Sequence, residues 1–174
     1  MSARRPAPGE YAPFYAGYVS LVPETDVLAV LAAQPAELRR LAAAIPAERE
    51  THRYAPGKWS IRELLGHVGD GERVFGYRAF CIGRGEQASL PGFDENEYVA
   101  TSGYDARPVA DLVEDFARLR ASNLSVLTHL APERWSGVGV AAGKSVSVRA
   151  LAYVMAGHAR HHLGILRARY GIVA

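Results

Sequence analysis

Four stretches of the chain place apolar residues at a helical period, and the segments between them do not. From Asp26 to about Ile45, in DVLAVLAAQPAELRRLAAAI, apolar side chains recur at Val27, Leu28, Leu31, Leu38, Leu41 and Ile45, roughly one stripe of a helix. Pro35 lies inside that stripe and marks either a kink or a position near a helix start. The second stretch, RYAPGKWSIRELLGHVGDGERVFGYRAF, carries a start signal at Ser60, with Glu63 three residues on completing a capping box. A third helix is predicted from Val109 to about Leu130, with Pro108 suited to its first turn and apolar residues at Leu112, Val113, Phe116, Leu119 and Leu127. The fourth spans roughly Val148 to Tyr170, and Gly171 ends it.

Four long amphipathic segments without a convincing strand pattern predict an all-α bundle. The connections read as irregular: GRGEQASLPGFDENEYVATSGYDARP before the third helix, and APERWSGVGVAAGKSVS before the fourth. Val-Gly alternation near Val138 allows a short hairpin that cannot form a sheet core. The Pro-, Gly- and Tyr-rich start, Met1 to Glu24, reads as an extended arm whose aromatics pack on the fold. With no repeat or low-complexity tract, residues 1–174 are expected to form one domain.

Length and composition fit that picture. A chain of 174 residues buries roughly 70% of its unfolded surface, and 49% hydrophobic with 22% charged residues is an ordinary globular balance. The net charge of +2 is too small to argue for nucleic acid, because the arginines are expected singly or in pairs along polar helix faces. A single cysteine, Cys81, permits no internal disulfide and suits a reducing cytoplasm. Arg4 and Arg5 are not followed by the apolar run of an export signal, and no segment is apolar enough for a membrane span. The stretch VGVAAGKS imitates a phosphate-binding loop, but Val138 stands where its first glycine is required.

Half of the six histidines lie in MAGHARHHLGILRARYG, on the fourth helix. His158 and His162 are four residues apart, so they stack on one helix face with Cβ atoms about 5–6 Å apart, a spacing at which two imidazoles can share one metal ion. They continue the apolar stripe of Leu151, Val154, Met155, Ile165 and Leu166 and should face the bundle interior. His161 falls at the edge. On the second helix His67 shares the face of Leu64, Val68 and Val74. Three interior imidazoles without partners are costly, and a shared cation removes the cost. Three nitrogen ligands leave a position open, which is the arrangement of catalytic zinc. The glutamate of an HExxH protease is missing. Asp70, one turn after His67, is a candidate general base or orienting group, or else a solvated carboxylate.

The segments YAPGKWSIRELLGHVGDGERVFGYRAF, LPGFDENEYVA and VRALAYVMAGHARHHLGIL together resemble the DinB-like superfamily, especially its YfiT-like branch of metal-dependent hydrolases. The resemblance implies an up-and-down four-helix bundle with irregular inter-helix loops and a nickel or zinc site ligated by His67, His158 and His162. Trp59-Ser60, Asp70, Arg78 and the Phe93-Asp94-Glu95 loop match the branch. Gly66 departs from it, since two adjacent histidines are usual there. Relatives that join a low-molecular-weight thiol to an electrophile imply the same for this chain. Arg78 and Lys58 would then hold a carboxylate of the thiol, and Trp59, Tyr54 and Phe93 would line an apolar pocket near the bundle mouth, with Trp59 and Arg78 as substrate-binding residues. Metal-assisted hydrolysis with Asp70 or Glu95 as base, and a non-catalytic stress protein whose metal ties two helices, are the alternatives. A homodimer is also expected from the resemblance.

Overall fold

The computed structural model describes residues 4–173; residues 1–3 of the expected arm lie outside them. Six helices and one hairpin occur among these residues: α1 (Ala16–Ser20), α2 (Val27–Ala43), α3 (Ile61–Gly83), α4 (Glu95–Ser102), α5 (Val109–Thr128), β1 (Val138–Ala141), β2 (Lys144–Ser147) and α6 (Val148–Ala168). The four long helices α2, α3, α5 and α6 form the expected bundle. Its neighbour order is less simple than the chain order, because α2 and α3 both pack against α5 and α6 but hardly touch each other.

Local sequence explains the starts of α2, α3, α4 and α6. The Ser60 hydroxyl accepts from the Glu63 N–H at 3.0 Å while the Glu63 carboxylate accepts from the Ser60 N–H at 2.8 Å, so α3 opens on the predicted capping box. Asp26 and Ser147 cap α2 and α6 with a side-chain oxygen alone, accepting from the N–H groups of Ala29 and Ala150. The loop expected to be irregular contains α4, whose first turn is organised by Asp94 accepting from the N–H groups of Asn96 and Glu97. An eight-residue helix with one buried side chain, Val99, leaves no apolar stripe to read. β1 and β2 pair antiparallel with Val138 opposite Ser147, a hairpin at the rim of the bundle.

The arm differs from the extended segment expected. It is wound into two 3-10 turns and α1, and it lies close on α6 because Gly157 has no side chain: a Cβ there would come within 2.0 Å of the Tyr18 carbonyl oxygen.

The apolar core is split into two clusters. One holds Val27, Leu31, Phe75, Ile82, Leu127 and Leu151; the other holds Leu38, Leu41, Leu64, Val68, Phe116 and Leu163. Between them each long helix contributes buried polar side chains: Gln34 from α2, His67 and Glu72 from α3, Arg120 from α5, and His158 and His162 from α6. Arg120 is fully buried and Arg78 nearly so, which corrects the expectation that all arginines lie on polar faces. Arg120 donates to both carboxylate oxygens of Glu72, at 2.9 and 2.8 Å, and to the Gln34 side-chain oxygen at 2.6 Å. It also donates to the Leu31 carbonyl at 3.1 Å. That carbonyl is free because residue 35 is proline and lacks the N–H that would close the helical hydrogen bond. Pro35 therefore stays within a continuous α2 and opens an acceptor that the buried guanidinium fills.

Candidate metal centre

His67 on α3 and His158 and His162 on α6 meet in this polar layer, where a ligand nitrogen from each lies within 4.8 Å of the other two. The Nε2 atoms of His67 and His158 are 3.0 Å apart, which is about the separation of two nitrogens that each sit about 2.0–2.1 Å from one ion. His67 and His158 come this close because of a glycine on α3. A Cβ on Gly71 would approach the His158 ring to 2.4 Å, so only glycine leaves the volume that the imidazole occupies. His161 is exposed, at the edge of the cluster, as the helical period predicts.

The donor set fits a divalent cation. Both ring nitrogens of His162 and Nδ1 of His67 are buried without a hydrogen-bond partner from the protein. Such orphaned groups carry a desolvation cost that metal ligation offsets. Burial pushes the His67 pKa down to about 4, with the positive charge of His161 acting in the same direction. Burial first, and then the neighbouring histidines, hold His158 and His162 well below the ordinary value of 6.5. All three are therefore neutral at pH 7, the form that ligates metal.

The lowered values have a consequence for the metal-free protein. Histidines that titrate near 6.5 when unfolded bind more protons in the unfolded state over the window below that pH, so stability is full above 6.5 and falls as pH drops toward about 4. Chelator-treated protein should show a melting temperature that declines steadily from pH 7 to pH 4.5. A flat profile would mean that the imidazoles are solvated.

Two cavities border the cluster. One of about 230 Å³ has His67 and His158 in its wall, together with Phe14, Tyr15, Tyr18, Phe75, Arg78, Phe93 and Glu95. The other, about 250 Å³, has His162 in its wall with Tyr54, Lys58, Trp59, Asn96 and Tyr170. The apolar pocket expected from Trp59, Tyr54 and Phe93 is thus divided, and Arg78 and Lys58, expected to hold one carboxylate, are parted as well. Arg78 and Phe93 lie on the His67–His158 side, and the other three beside His162. The Trp59 ring also packs against His67, with centroids 4.7 Å apart.

Asp70 is not brought to either cavity. The Tyr104 hydroxyl donates to its carboxylate at 2.6 Å, and Arg73 lies at 3.6 Å. The expected general base is thereby committed to the junction between α3 and the segment before α5. Burial raises its pKa, against the lowering influence of Tyr104 and Arg73. Gly66 explains the contact: a Cβ there would come within 2.3 Å of the Tyr104 ring, so the glycine admits the tyrosine. The carboxylate that does face a cavity is Glu95, at the first turn of α4. The arm residues Tyr15 and Tyr18 were not picked out from sequence beyond their aromatic character, and Tyr18 stacks edge-on against His158 at 5.5 Å.

A four-helix bundle that gathers one histidine from α3 and an HxxxH pair from α6 defines a recognisable class of helical protein with a tri-histidine centre. The chain belongs to the DinB superfamily, whose sequence model matches residues 31–166. Among solved structures it is similar to YfiT from Bacillus subtilis, described as a probable metal-dependent hydrolase with an unusual four-helix bundle topology. The two agree with a TM-score of 0.75 over 99% of this chain and 97% of that one, at 14% identity. A mycothiol-dependent maleylpyruvate isomerase agrees with a TM-score of 0.68 over 90% of this chain at 15% identity, and this chain spans 64% of the isomerase. At these identities the likenesses establish the fold. No curated protein sequence matches, and among the described residues no helix is long and apolar enough to cross a membrane.

Proposed function

We propose that the chain is a metal-dependent enzyme that transfers a low-molecular-weight thiol to an electrophilic small molecule, with His67, His158 and His162 holding one divalent ion, zinc or nickel. The observation that carries this reading is the pair of cavities of about 230 and 250 Å³, each bounded by imidazoles of the same cluster. Each cavity has room for one reactant beside the same group of imidazoles, a provision that attack by water alone does not need. A divalent ion held there supplies a Lewis acid that favours thiolate over thiol at neutral pH. The chain's own groups bind and orient. Trp59 forms an apolar wall beside His162, Arg78 lies beside the other two histidines, and Glu95 stands at the first cavity as a proton acceptor. The thiol-dependent chemistry of the isomerase neighbour supports the choice of co-substrate.

Glu95 also favours a second reading, metal-assisted hydrolysis of an amide or ester, in which the carboxylate takes the proton of an attacking water. A purely structural ion is disfavoured because it needs a sealed cluster. A cytoplasmic homodimer acting on small molecules, not on nucleic acid, belongs to the same proposal.

The reading is tested by loading the chain with one equivalent of zinc or nickel and following free thiol with time in cysteine plus 1-chloro-2,4-dinitrobenzene. Thiol consumption above the protein-free rate, lost in His67→Ala, is the expected result. Turnover of p-nitrophenyl acetate without thiol, and no thiol consumption, would assign hydrolysis instead.

A further inference from the structure

We propose that the cavity over His67 and His158 recognises a small carboxylate, and that Arg78 holds the anionic group while the aromatic walls take the apolar body. This rests on the functional reading above only in calling the bound molecule a substrate. Arg78 is 2% exposed, yet no carboxylate of the described residues lies within ion-pair distance of it. The other deeply buried arginine, Arg120, is paired bidentately with Glu72. A buried cation without a counter-charge is costly in a finished core and is expected where a ligand supplies the missing charge.

The guanidinium carries five N–H donors in a planar fork. Nη2 donates to the Pro91 carbonyl at 2.7 Å, and Nη1 to the Tyr15 hydroxyl at 3.3 Å, a long contact. These bonds anchor the group from the loop and from the arm and leave the other donors for a planar oxyanion. Phe75 and Phe93 each place a ring 5.9 Å from the guanidinium carbon. Phe75 is in turn 5.5 Å from the His158 ring, so it bridges the cation and the histidine cluster.

In the metal-free protein the cavity holds one cation, Arg78, and one carboxylate, Glu95, so a dianion such as phosphate would bring more negative charge than Arg78 offsets. A ligand with one carboxylate balances Arg78 one to one, and its apolar part extends along Phe75 toward His158. The same placement would let a thiol or an electrophilic carbon of that ligand reach the cluster.

The test is calorimetric titration with 3-phenylpropanoate and with its neutral amide, done on chelator-treated full-length protein so that no metal can bind the carboxylate. Wild type is expected to bind the carboxylate at least about tenfold more tightly than the amide, as charge-assisted pairing in a desolvated site implies. Arg78→Met should abolish that preference. Arg78→Lys, which keeps the charge, should retain part of it and covers the case in which the methionine variant fails to fold. Because no metal is present in these titrations, loss of the preference leaves the metal reading to its own test and counts against this proposal alone. Equal binding of the two compounds by wild type, no binding of either, or a preference that survives in Arg78→Met would overturn it.

Discussion

Glu72→Ala is expected to destabilise the chain by about 3–5 kcal/mol, the cost of leaving a buried charge without its partner. Glu72 is 2% exposed and Arg120 is fully buried. The carboxylate accepts two hydrogen bonds from that guanidinium and a third, at 2.7 Å, from the Asn123 amide. Removing it strands donors from α5 in a layer that α2, α3 and α6 enclose. Urea unfolding at pH 7 measures the loss, and Glu72→Met combined with Arg120→Met should recover much of it by removing both charges at once. A loss below about 1 kcal/mol for the single variant, the range of exposed pairs, would mean that the layer is hydrated.

The second large effect is on metal linkage and rate. His158→Ala is expected to remove the rise in melting temperature that zinc or nickel gives the wild type, since a ligand that binds only the native state stabilises it by mass action. Thiol-transfer rate should fall by about 10²-fold or more, because a Lewis acid contributes several kcal/mol to charge stabilisation in the transition state. A His161→Ala control should leave both nearly unchanged, as its ring lies on the exposed edge of α6.

The bundle and the three histidines were legible because each depends on helical period alone. Leu151 through Leu166 set the inward face of α6, and His158 and His162 fall on it; His67 is placed by the stripe of α3. What period cannot show is which polar residues on an inward face are satisfied by a distant helix. Arg120 lies on the buried side of α5 because Glu72, Gln34 and the carbonyl released by Pro35 await it, and those partners come from two other helices. Asp70, read as a general base, an orienting group or a solvated carboxylate, lines neither cavity for a related reason. Its spacing from His67 places it one turn along α3, but the Tyr104 ring admitted by Gly66 takes its carboxylate. The division of the expected pocket into two likewise depends on the fold of the arm and of α4, whose few apolar residues make no periodic signal.

The central claim is that His67, His158 and His162 hold one metal ion between α3 and α6. Plasma mass spectrometry of the purified chain, beside His67→Ala and His158→Ala and with circular dichroism to confirm that each variant folds, tests it most directly. The account predicts about one equivalent of zinc or nickel in the wild type and loss of it in both folded variants. No bound metal after loading, or metal retained when either histidine is removed, would contradict it.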